Sequence, residues 1–166
     1  MEKSKKTYRD ALSFLSSEQR NEIEDAVSKA EAMTSSEIRV LIVAASSVVP
    51  KLSKKDQKEA LRRRAIQEFS KLGIHNTRDK TGVLLMVSIE ERMVQVLAGN
   101  GINSVVPENT WPSMVHLVTE GIKAGNPARG IAMAVSEIGK MLSEKFPIKP
   151  DDSNELSNKV VIKGRW

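Results

Sequence analysis

Cysteine is absent from this chain of 166 residues. Its absence excludes disulfides, thiolate nucleophiles and cysteine-ligated zinc or iron–sulfur centres. Aromatic residues are scarce as well, at 4% against 40% hydrophobic residues overall. A core must therefore come from Val, Ile, Leu, Met and Ala, and platforms for stacking bases are missing. The apolar stretches Ile38–Ala45 and Val83–Ile89 fall far short of the ~20 residues a membrane-spanning helix needs. The first ten residues offer neither an apolar targeting core nor a small-residue cleavage site. A soluble cytoplasmic protein without a membrane span is expected. The phosphate loop Gly-x-x-x-x-Gly-Lys-Ser/Thr, the Gly-x-Ser-x-Gly elbow, the His-Glu-x-x-His zinc helix and the dinucleotide fingerprint are all lacking. His75 and His116 have no second histidine at ligand spacing, so both read as surface residues. Any hydrolysis would have to be metal-assisted.

Charge is present, and it is concentrated. The net value is +5. Residues 51–80 carry ten Lys/Arg against four Asp/Glu, which leaves the rest of the chain slightly acidic. Within this window Lys54, Lys55, Lys58, Arg62, Arg63 and Arg64 form a basic helix. Its positions could neutralise phosphates or an acidic partner, or simply solvate the helix.

Local patterns supply the elements. Ser16 with Gln19 three residues on is a capping box, and Ile23, Val27, Ala30 and Met33 give the helix that follows an apolar stripe. Residues 37–44 form a strand too apolar for an exposed edge, and so a central one. Ser53 caps a second helix, whose stripe is Leu61, Ala65, Phe69 and Leu72 and whose end is Gly73. Gly82–Ile89 and Met93–Ala98 make a hairpin around Glu90-Glu91-Arg92. Helices follow from Trp111 to Gly125, and from Asn126-Pro127 down to Phe146. Val160–Ile162 reads as a terminal edge strand. The order predicts an α/β fold, a three-layer α/β/α sandwich with a small mixed sheet containing a central hairpin. Residues 1–12 read as an extension, 13–147 as the domain, and 148–166 as a tail packed on it.

Several of these residues, in their order and spacing, resemble the TPM domain, named after a thylakoid-lumen phosphatase, a photosystem II repair protein and a nematode modulator of acetylcholine receptors. They are Ser35-Ser36-Glu37-Ile38-Arg39, Leu72-Gly73, Thr81-Gly82-Val83-Leu84, Gly101-Ile102-Asn103, and Val106-Pro107-Glu108 with Trp111. The tail from Phe146-Pro147 to Leu156 is similar to that of the soluble, single-domain bacterial branch. The resemblance implies loops gathered at one end of the sheet. It also implies divalent-cation binding, often of calcium, in some members, and acid phosphatase activity in the plant branch. This chain departs from the pattern at Asn100, where the family commonly has Asp, and at Ser36, where it has Gly.

The candidate residues follow from both lines. Glu37, Asp79, Asn100 and Glu108 are the expected cation set, for calcium or magnesium, since hard cations select oxygen ligands. Glu37 could equally be a salt-bridged strand end, and Glu108, with Asn109, a helix cap. Asp79, flanked by Arg78 and Lys80, reads as an acid/base group beside phosphate-binding cations, or as an ordinary charged turn. Arg78 and Asp79 are the candidate catalytic pair of a weak metal-assisted phosphatase. Asp151, Asp152, Asn154 and Glu155 fit no EF-hand frame and read as tail-to-body contacts. The leading expectation is a binding or accessory module that recognises a protein partner or a small phosphorylated ligand. Lys54, Lys55, Lys58, Arg62 and Arg63 are the surface for an acidic partner, with nucleic acid disfavoured.

Overall fold

The helix-start signals operate as their chemistry dictates. Ser16 Oγ accepts the Gln19 N–H at 3.1 Å, and Gln19 Oε1 accepts the Ser16 N–H at 2.9 Å. Ser53 accepts from Asp56 N–H, and Asn126 from Arg129 N–H. Asn109 stands at a helix start without a side-chain cap bond, so the expected capping there is not made. The computed structural model describes residues 11–46, 52–77, 80–150 and 156–165. Its elements are α1 (Ser17–Glu31), β1 (Glu37–Ala45), α2 (Lys54–Lys71), a 3-10 turn (Ile74–Asn76), β2 (Gly82–Ser88), β3 (Met93–Ala98), the short α3 (Asn100–Asn103), α4 (Thr110–Lys123), α5 (Pro127–Lys145) and β4 (Val161–Arg165).

The sheet runs β3-β2-β1-β4, with β1 parallel to β2 and to β4, and β2 antiparallel to β3. β1 and β2 are buried at every position, as continuous apolar runs require when both faces are covered. β3 alternates half-buried and buried residues, the pattern of an edge. The hairpin thus gives β2 to the sheet interior and β3 to its margin. On one face Ile38, Val40, Ile42, Val83 and Leu85 pack with α1, α4 and α5. On the other, Leu41, Val43, Leu84 and Met86 pack with Leu61 and Ala65 of α2. Among the described residues the result is an α/β sandwich with α2 on one side and α1, α4 and α5 on the other, where Ile102 of the short α3 also packs.

Two glycines bring α4 and α5 into backbone contact. A Cβ on Gly121 would lie 2.6 Å from Gly130 Cα, and one on Gly130 would lie 2.9 Å from Gly121 Cα. Neither obstruction is a flexible side chain, so the helices would have to separate. Gly121→Ala is expected to destabilise the fold by about 1–3 kcal/mol. The check is a lower urea midpoint with an unchanged m-value; an unchanged midpoint would contradict the tight crossing.

The register fixes where function can gather. Glu37 stands opposite Gly82, and Val83 opposite Ala98. The starts of β1 and β2 and the end of β3 therefore share one end of the sheet. The α1–β1 connection, the stretch before β2 and α3 all meet there.

Candidate functional site

β4 pairs with β1 only from Leu41 onward, so among the described residues the first residues of β1 have no strand on that side. Ile38 N–H is taken instead by Glu31 Oε1 at 2.7 Å. Glu31 is the last residue of α1, and it belongs to a polar line along that helix. Glu24 Oε1 accepts Val160 N–H at 3.0 Å, and Ser28 Oγ accepts Asn158 Nδ2 at 2.9 Å. The stripe Glu24, Ser28, Glu31 thus secures both the approach to β4 and the open start of β1.

Closing the strand this way brings Glu31 beside Glu37 and Arg39. The Glu31 carboxyl is pushed up to about 8, chiefly by burial. The Ile38 N–H opposes that rise; the charge of Glu37 and a hydrogen bond with it add to it, and Arg39 acts to lower it. Arg39 is itself shifted down by burial, with Glu31 and Glu37 holding it up. At neutral pH Glu31 therefore holds its proton beside Glu37 and Arg39. Ser36 Oγ, on the residue before Glu37, is buried and has no hydrogen-bond partner among the described residues.

The remaining expected ligands are disposed differently. Glu37 is buried, whereas Asn100 and Glu108 are exposed. Arg78 and Asp79 lie outside the described residues, as do Asp151, Asp152, Asn154 and Glu155. Among the described residues no group of three or more His, Cys, Asp or Glu could hold a metal ion. Neighbouring motif residues have structural work. Asn103 Nδ2 donates to Ala98 O at 3.0 Å, and Asn103 Oδ1 accepts from Trp111 Nε1 at 3.2 Å. Lys80 Nζ donates to His75 O at 2.9 Å. A Cβ on Gly99 would lie 2.2 Å from Lys80 O, so the end of β3 and the approach to β2 touch through backbone. Both histidines are exposed, as expected.

Glu31 escaped the sequence reading. The signal available was an acidic residue in the last turn of a helix, where the dipole favours a cation.

The basic helix divides in two. Lys54, Lys55, Lys58, Arg62 and Arg63 are exposed. Arg64, expected among the surface cations, is only 3% exposed. Its Nε meets Glu68 Oε1 at 3.1 Å, and its remaining nitrogens donate to Ala45 O and Gly164 O. It ties α2 to the ends of β1 and β4 and is withdrawn from any partner. Lys58 and Arg62 instead flank a groove of about 480 Å³ between α2, the first half of β3 and α4. Arg92 of the hairpin turn joins them there.

Comparison with known proteins follows the same outline. The family model described as the TPM domain matches residues 8–141. The solution structure of BA42, a protein of the psychrophilic bacterium Bizionia argentinensis, is similar with a TM-score of 0.74 and 31% identity, covering 90% of this chain and 95% of that one. The N-terminal domain of a protein from P. gingivalis shares the fold at a TM-score of 0.55 and 20% identity, covering 80% and 79%. Among the curated proteins nothing matches. No helix of the described residues is long and apolar enough to cross a membrane.

Proposed function

Because the chain belongs to the TPM domain family, we propose that it is a binding module whose sheet end takes up a divalent cation at Glu37 and Glu31. The observation that supports this reading is the carboxyl pair at the start of β1. Two carboxyl groups brought together in a poorly solvated place must share a proton or take a cation between them. Glu31, raised to about 8, holds that proton at neutral pH. The donors fit calcium or magnesium in kind, since all are hard oxygens. Ser36 Oγ, buried without a partner among the described residues, adds a neutral oxygen on the neighbouring residue. Glu37 and Glu31 would hold the ion, and the ion would supply positive charge in place of the proton. Arg39 opposes it, so the affinity should be modest and the site one of structure or recognition.

Calcium titration calorimetry at pH 7, in two buffers of different ionisation enthalpy, tests the reading. Binding should release about one proton, and affinity should climb about tenfold per pH unit until pH approaches 8. Glu37→Gln should abolish the signal. An absence of heat at millimolar calcium and magnesium would remove the cation.

A further inference from the structure

We propose that the outer edge of β3 is a docking site for an extended, acidic segment of a partner protein, which adds to the sheet as a fifth strand. The edge is identified by its hydrogen bonds. Gln95 Nε2 folds back onto Val96 O at 3.2 Å, and Asn103 Nδ2 reaches Ala98 O. Gly99 N–H, one residue on, turns the other way and bonds Gly82 O. In an antiparallel pair a residue's N–H and C=O face the same side. Val94 and Val96 therefore direct their backbone groups away from β2, and only side-chain amides cover the carbonyls of Val96 and Ala98. β3 has no strand beyond it among the described residues.

The groove lies along this edge, with α2 on one side and α4 on the other. A strand added there would sit ~4.8 Å from β3. Side chains of that strand would alternate between the two walls. Met93 and Leu97 pack with the α2 core and Val94 and Val96 with the α4 and α5 core, so one wall is Lys58 and Arg62 and the other is Val115 and Thr119. The occupant is thus a segment in which acidic residues alternate with apolar or β-branched ones. Charge selects it: among the described residues Lys58, Arg62 and Arg92 face the groove against Glu59 alone. The same cations disfavour a second copy of this chain, because edge-to-edge pairing would bring like charges together. Among the described residues no aromatic side chain lines the groove to stack a base, which disfavours single-stranded nucleic acid.

Selection from a random-peptide display library at low salt, with the Lys58→Glu/Arg62→Glu double variant as counter-target, tests the proposal. Both residues are exposed, so the variant keeps the fold. Recovered peptides should alternate Asp or Glu with Val, Ile or Thr, and should bind the double variant at least about tenfold more weakly. Hydrogen exchange read by NMR should show the Val94 and Val96 amides protected in the complex. Val96→Pro, which removes an outward donor and leaves the ladder to β2 intact, should also lose binding. Failure to recover acidic peptides overturns the proposal. So does binding that shifts α2 while leaving the Val94 and Val96 amides unprotected. Tighter binding of an oligonucleotide, or self-association through β3, overturns it equally.

Discussion

Replacing Arg64 with alanine is expected to lower stability by about 3–5 kcal/mol, the range for removing one partner of a buried ion pair. Arg64 and Glu68 have side chains only 3% and 1% exposed, at 3.1 Å separation. The guanidinium also donates to Ala45 O at 3.1 Å and Gly164 O at 3.3 Å. Alanine would leave both carbonyls without that donor. Among the described residues Glu68 would keep only Lys163, 2.5 Å from Oε2 and one-third exposed. The loss should also be local. β4 is short and lies at the sheet margin, and Arg64 binds its far end at Gly164 O. Amide exchange at Ile162 should therefore accelerate before that of β1 does. Arg64→Met restores packing but no donor, and should recover only part of the loss. Arg64→Met combined with Glu68→Leu should recover most of it, since no buried charge is then left alone. A cost below about 1 kcal/mol for Arg64→Ala would show that the pair is far better solvated than its burial states.

Arg64 also marks the limit of what the sequence discloses. Its run of Arg62-Arg63-Arg64 reads as uniform positive charge. The helical phase, however, places Arg64 three residues after Leu61 and four before Glu68, on the buried stripe. The phase was visible in principle, but the demand for a guanidinium at that spot comes from two strand ends 19 and 100 residues away. The fold was legible because its determinants are local. Ser16, Ser53 and Asn126 cap helices through neighbours within three residues, and the two largely apolar runs became the two inner strands. The position of Glu37 at the strand start was legible for the same reason. Its partner Glu31 was not, because their meeting depends on α1 ending beside β1 where β4 has yet to begin. Arg92 reaches Lys58 and Arg62 only through the fold, so the groove has no contiguous sequence signature.

Glu31→Gln is expected to make the protein more stable in alkali and to flatten its dependence on pH. The sign follows from which state holds the proton. Glu31 rises from an ordinary 4.5 to about 8 in the folded chain, so between those values the native state binds the proton that the unfolded state has lost. Stability from this group is full below about pH 4.5 and drains away as pH climbs through 8. A tenfold change in a carboxyl's proton affinity corresponds to about 1.36 kcal/mol. Allowing for the solvent this half-buried carboxyl retains, the decline should amount to about 2–3 kcal/mol. Glutamine keeps an oxygen for Ile38 N–H and offers an amide to Glu37 in place of the shared proton. The variant should therefore match the parent near pH 5 and exceed it near pH 9, as read from urea midpoints across that span. Glu37→Gln should flatten the same slope less completely, because burial, the larger cause of the raised affinity, persists at Glu31. Equal slopes in parent and Glu31→Gln would mean that Glu31 ionises normally. The proton expected to leave on calcium binding would then have no source. A retained slope together with calcium-linked proton release would place that proton on another group.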